Sequence, residues 1–201
     1  FTYTPYPDLG PVERAIEQKF AAELAADLDA AANRYAAAFR NVLDRNSAQE
    51  LSPDYVGTGP DDRTSRTRWS VATLGVAGGF IDWLYPRRLA ALPPDSLIAF
   101  NAGGQGSGKT QATRLAEIER KANLVMDGTL QDESRSAAQI VAALEAGHVV
   151  QIRFIYCPWE NAVINILRRA YEGSGRVVPL LRATNGHYRA ARTVLHFAEQ
   201  I

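Results

Sequence analysis

Eight consecutive residues, Gly103-Gly104-Gln105-Gly106-Ser107-Gly108-Lys109-Thr110, restrict the fold of this chain more than any other feature. They satisfy the pattern G-x-x-x-x-G-K-[ST] in full. A short apolar run, Leu97 to Asn101, precedes them, and a helix-forming stretch to about Lys121 follows. Strand, glycine-rich turn and helix in that order let backbone N–H groups turn inward around a phosphate, while the helix N-terminus adds its dipole. Gly103 to Thr110 are therefore the candidate phosphate-binding residues. Lys109 would reach the β- and γ-phosphates of ATP, and the Thr110 hydroxyl would ligate Mg²⁺. The competing reading, a glycine-rich turn with no ligand, has to explain both the complete motif and its context.

The pattern after the motif alternates. Asn123 to Met126 reads as a strand closed by Asp127, and Ser134 as the cap of a helix running to a C-terminal glycine, Gly147. Val149 to Cys157 reads as the longest strand, with helices near 159–171 and 187–200. Alternating strands and helices predict an α/β fold with a parallel sheet flanked by helices. Upstream, residues 11–43 carry Val12, Ile16, Phe20, Leu24, Leu28, Ala32, Tyr35 and Phe39 at helical spacing, which predicts a long helix with a bend near Asn33. Residues 44–68 read as loop. A second helix is predicted over about 70–92, ended by Pro93-Pro94. The resulting division is a helical N-terminal extension and loop over 1–68 and a P-loop core over 69–201.

Composition narrows the function classes. With 22 Lys+Arg against 22 Asp+Glu, the charge balance argues against a dedicated nucleic-acid binder or a polybasic membrane anchor, while leaving room for local basic clusters. No apolar stretch is long enough to span a bilayer. The one cysteine, Cys157, cannot form an internal disulfide, and His148, His187 and His196 do not fall at metal-ligand spacing. These features predict a reducing, cytoplasmic setting. The chain opens on Phe1 rather than Met, so an upstream targeting signal would not be seen.

Several residues are candidates for chemistry. Asp127 closes a strand whose C-terminal end faces the ligand crevice in an open α/β sheet. It can act as general base toward an acceptor hydroxyl, hold Mg²⁺ through water, or cap the turn with Gly128. Thr129 is a candidate substrate contact, though turn chemistry would also explain it. Between Leu167 and Arg192 lie Arg168, Arg169, Arg176, Arg182, Arg189 and Arg192. Arginines supplied in cis can stabilise the charge that builds on a transferring phosphoryl group. Arg169 and Arg176 are the candidates here, Arg176 within a glycine-rich segment that reads as a lid. His187, placed at the start of the last helix, would touch an acceptor or cap that helix. His196 reads as a packed core histidine, and Cys157 as an inert residue ending a core strand. The chain lacks the N-K-x-D of GTPases and the L-S-G-G-Q of ABC-type ATPases, which with its small size favours a P-loop kinase.

The assembled pieces resemble the zeta-toxin family of P-loop kinases. AFNAGGQGSGKT, ANLVMDGTL and HVVQIRFIYCPWENAVINILRRAYEGSGRVVPLL, with His187 following and LSPDY preceding, carry the likeness over roughly residues 44–200. The resemblance implies Mg·ATP-dependent phosphorylation of a hydroxyl on a nucleotide-linked small molecule. That acceptor is UDP-N-acetylglucosamine in the best-known branch and NAD in effector-like proteins of plant pathogens. It also implies a small helical antitoxin or chaperone partner. Lys109 and Thr110 match the family's phosphate and Mg²⁺ positions. Arg169 and Arg176 best match its two phosphate-clamping arginines, with Arg168 and Arg182 as competing alignments. The spacing departs from the family pattern, since only residues 111–126 separate Thr110 from Asp127, which itself matches the second strand-end acid in sequence. The expectation is a compact branch in which Asp127 serves as base and the N-terminal helices supply the acceptor wall. The alternative is that the base-bearing segment lies outside this chain. Two further function classes stay in view: an ATP-holding interaction module, and an ordinary metabolic kinase with a helical cover.

Overall fold

The computed structural model describes residues 1–59, 62–109, 111–112, 118–172, 178 and 180–200. The chain forms two compact units, one built on Phe1–Arg87 and one on Arg88–Tyr171 with the C-terminal helix.

In the first unit the stretch read as one helix is two, α1 over Pro11–Ala26 and α2 over Leu28–Phe39. The break falls at Asp27 rather than near Asn33, because the Asp27 carboxylate accepts from the backbone N–H of Ala30 at 2.8 Å and starts a new helix. The second helix stops at Arg40, whose φ of 56° lies in the left-handed region. Residues 44–68 are not a plain loop. After a two-residue strand, β1 (Val42–Leu43), come the short helices α3 (Arg45–Gln49) and α4 (Pro53–Val56). The long helix α5 then runs over Arg63–Ala90 and so begins before the 68/69 boundary read from sequence. Phe20, Leu24, Tyr35, Val76 and Phe80 are buried together as the core of this unit. The Tyr35 and Phe80 rings meet edge to face at 5.8 Å.

In the second unit β2 (Leu97–Ala102) lies between β3 (Leu124–Asp127) and β4 (Val149–Phe154), parallel to both. The α/β class with a parallel sheet flanked by helices is therefore as the alternation predicted. Asn101 is in register with Asp127 on one side and with Arg153 on the other. In-register residues of parallel strands point to the same face, so these three share a row near the C-terminal ends of the strands. Ile98, Ala99, Phe100, Leu124 and Val125 are buried beneath that row.

Helices α6 (Ile118–Lys121), α7 (Glu133–Glu145), α8 (Trp159–Glu172) and α9 (Leu180–Ala198) complete the unit. The N-cap of α7 is Asp132, which accepts from Arg135 N–H at 3.2 Å, not Ser134. Gly147 takes the expected left-handed conformation after the helix, at φ 77°. The fourth strand ends at Phe154, short of Cys157, and its outer residues Val149 and Phe154 are exposed, so it is less buried than a core strand would be. Among the described residues no helix is long and apolar enough to cross a membrane.

Candidate phosphate-binding site

The loop after β2 is shaped by its glycines. Gly103 and Gly106 adopt φ of 140° and 77°, conformations that side chains strain. Space forbids a side chain at both as well. A Cβ on Gly103 would lie 2.5 Å from the Ile155 carbonyl oxygen and 2.9 Å from Ser107 Oγ, and one on Gly106 would run into the Ala162 carbonyl oxygen. Lys109 folds over this loop, its ammonium donating to the Gly103 and Gly104 carbonyls at 2.7 and 2.9 Å. A positive charge is thereby fixed at the mouth of the turn, anchored by the loop's own backbone.

Three elements hold the loop from outside. Asn165 on α8 donates through Nδ2 to the Gly106 carbonyl at 2.9 Å. On α9, Gly186 admits Gln105 and Gln131, while a Cβ on Gly104 would come within 2.6 Å of His187 Nδ1. At the end of the third strand the Thr129 carbonyl accepts from Gly103 N–H at 3.4 Å, and Gly128 N–H donates to the Asn101 carbonyl at 3.3 Å. The acid-bearing strand end and the phosphate loop are thus tied through backbone groups.

Polar atoms collect here without partners. Ser107 Oγ, Gln105 Oε1, His187 Nδ1 and one terminal nitrogen of Arg153 are buried and have no hydrogen bond among the described residues. Buried polar groups in folded proteins are ordinarily satisfied, so a set of exceptions around one loop needs a reason. A phosphate would serve the donors among them, the Ser107 hydroxyl and the Arg153 nitrogen, but not Gln105 Oε1, which is an acceptor like phosphate itself. The Lys109 ammonium and the Ser107 hydroxyl are the kind of donors that phosphate oxygens accept from. Among the described residues no three His, Cys, Asp or Glu side chains are grouped to hold a metal ion.

Of the residues singled out from sequence, Gly103, Gly104, Gln105, Gly106, Ser107, Gly108 and Lys109 form this loop. Asp127 ends the third strand, in register with Asn101 beside the loop. Thr129 is half-buried, and its hydroxyl accepts from Gln131 N–H at 3.4 Å within the turn. Arg169 is exposed near the end of α8. Helical spacing puts it on the stripe of Ala162, Asn165 and Ile166, the residues against the loop, whereas Arg168 is turned about 100° away. Arg182 lies one turn before Gly186 on α9. Thr110 and Arg176 fall outside the described residues.

His187 differs from expectation. The last helix starts at Leu180, so His187 sits in its third turn and cannot cap it. It packs on the phosphate loop instead. His196 is half-exposed rather than core, 3.6 Å from the Glu133 carboxylate. Sequence reasoning passed over Asn101, Arg153 and Asn165. Arg153 had a visible signal, a lone charge inside the run V-V-Q-I-R-F, and Asn165 lies one helical turn before Arg169.

Residues 113–201 match the family model described as Zeta toxin. The match begins just after the phosphate-loop motif and is shorter than the likeness read over 44–200. None of the curated proteins matches the chain.

Proposed function

We propose that the chain, whose residues 113–201 match the P-loop kinase-like zeta toxin family, is a small-molecule kinase. In this reading it transfers the γ-phosphoryl group of ATP to a hydroxyl of a nucleotide-linked acceptor, UDP-N-acetylglucosamine or NAD, and acts as a toxin or effector. The observation that carries the reading is the loop itself: Lys109 anchored on the Gly103 and Gly104 carbonyls beside a strand that ends in Asp127.

The proposed roles draw on the motif and on the residues around it. Gly103 to Lys109 would hold the phosphate chain, and Thr110 would hold Mg²⁺, which would offset phosphate charge. Asp127 takes the proton of the acceptor hydroxyl as its oxygen attacks the γ-phosphorus, and the bond to the bridging oxygen breaks to release ADP. Lys109, with Arg169 and Arg176, counters the charge on the transferring group. Thr129 and His187 are the proposed contacts to bound substrate. A small helical antitoxin or chaperone restrains the activity, and the protein acts in a cytoplasm.

Mass spectrometry after incubation with Mg·ATP and, separately, UDP-N-acetylglucosamine, NAD and a metabolite extract tests this. One acceptor gains a single phosphoryl mass, and Lys109→Ala abolishes the gain. ATP hydrolysis with no phosphorylated acceptor in any mixture would instead favour an ATP-holding interaction module.

A further inference from the structure

Against the phosphate loop the second unit gathers rings that the transfer chemistry does not use. The rings of Phe154 and Tyr156, at the end of the fourth strand, lie 6.5 Å apart, and Tyr156 is 6.3 Å from the His187 ring. Trp159 and Tyr188 each meet His187 edge to face, at 5.5 and 6.3 Å. His187 is the hub, and it is also the side chain packed on Gly104 of the loop. The rings are not sunk in the core: Tyr156 and Tyr188 are 68% and 67% exposed, and Phe154 is 37% exposed.

Single exposed aromatics need no explanation. Three rings around His187, which itself packs on the cation-bearing loop, with Phe154 next to Tyr156, are a different matter. Tyr156 and Tyr188 are too open to serve the core, and the hub His187 lies against Gly104 of the loop. A flat heteroaromatic ligand suits the exposed faces of Tyr156 and Tyr188, on which it can stack.

We propose that Phe154, Tyr156, Trp159, His187 and Tyr188 form a nucleobase platform that stacks the base of the nucleotide whose phosphates the loop holds. The inference rests on the proposed reading of Gly103 to Lys109 as a nucleotide-phosphate site and names where the rest of that nucleotide goes. It makes the loop selective for nucleotides over bare polyphosphate.

Titration calorimetry with ATP and with inorganic tripolyphosphate tests it on the wild type, Lys109→Ala, Tyr156→Phe and the double variant Tyr156→Ala/Tyr188→Ala. The double variant binds ATP roughly ten-fold more weakly or worse, the loss expected when base stacking is removed. It binds tripolyphosphate as the wild type does, and Tyr156→Phe keeps its ATP affinity because the ring is what stacks. Unchanged ATP binding in the double variant overturns the platform while leaving the phosphate site intact. Parallel loss of tripolyphosphate binding also overturns it, because the rings would then only be shaping the loop. A rise confined to the acceptor's KM, with ATP binding unchanged, overturns it in favour of the acceptor's base. If the wild type binds neither ligand, the phosphate reading itself falls, an outcome distinct from the other three.

Discussion

The two units treat buried polar groups in opposite ways. In the first unit Glu17 is fully buried, yet its carboxylate accepts from the Arg14 guanidinium and from Tyr6 N–H at 2.9 Å, while Arg14 also donates to the Tyr6 carbonyl at 2.6 Å. Gln49, also fully buried, donates to the Ser70 carbonyl and to Thr73 Oγ1, both at 2.7 Å, leaving only its own carbonyl oxygen unmatched. Arg66 closes a two-pronged bond on Glu50 at 2.7 and 3.0 Å. In the second unit Gln105, Ser107, Arg153 and His187 keep buried polar atoms unmatched around one loop. Satisfied burial is what a scaffold does, because an unmatched buried group costs about 1–3 kcal/mol. Unmatched polar atoms gathered at one loop among the described residues support, on the proposed reading, a ligand-binding role for the second set and a structural role for the first.

The contrast can be broken most sharply at Lys109. Lys109→Ala should lower kcat/KM by at least ~10²–10³-fold, the scale of losing one charge-stabilising donor, with circular dichroism and Tm near wild type. A large fall in Tm would move Lys109 to the scaffold. Asp127→Asn should cost ~10²–10⁴-fold in turnover if the carboxylate is the base, and normal transfer by that variant would remove it from the role. Arg169→Ala should reduce kcat more than ATP affinity, by roughly 10-fold or more. Arg168→Ala, turned away from the loop, should leave both near wild type, and equal effects of the two would undo the helical-stripe argument.

On the scaffold side, Glu17→Ala strands Arg14 and Tyr6 N–H and should cost about 2–3 kcal/mol in unfolding free energy, read by denaturant titration. Its tripolyphosphate affinity should stay at the wild-type value, and a shared loss would join the two sets that the contrast separates. The smallest effect concerns pH. Asp62 accepts from Ser65 N–H, Thr58 N–H and the Ser65 hydroxyl, which hold its carboxyl down at about 2, below the ordinary 3.8. A depressed carboxyl contributes stability above its unfolded value and loses it as pH falls through about 2. Tm should therefore drop more steeply between pH 4 and 2 in the wild type than in Asp62→Asn, and identical slopes would discard this cap.

Much of the phosphate loop was legible because its requirements are local. Gly103 and Gly106 need backbone angles that few residues adopt, and Lys109 needs only to follow Gly108 into a helix. The strand after it was legible too, as an apolar run ending in an acid. Element boundaries were less so. Ser134 and Asp132 are both good caps two residues apart, and His187 follows a glycine that, in a sequence, looks like a helix start. The interior of α9 accepts Gly186 because Gln105 and Gln131 occupy the space a side chain would fill, a reason that no spacing rule contains.

The sequence by itself determined the α/β class, the glycine-rich loop and its lysine, and the strand-end carboxylate, because each depends on residues adjacent in the chain. Only the tertiary structure decided that Asn165 and His187 brace that loop, that Asn101, Asp127 and Arg153 share one row, and that Tyr156, Trp159 and Tyr188 gather on His187. Those relations join residues tens of positions apart, and they are set by strand register and helix packing, in which every neighbour takes part.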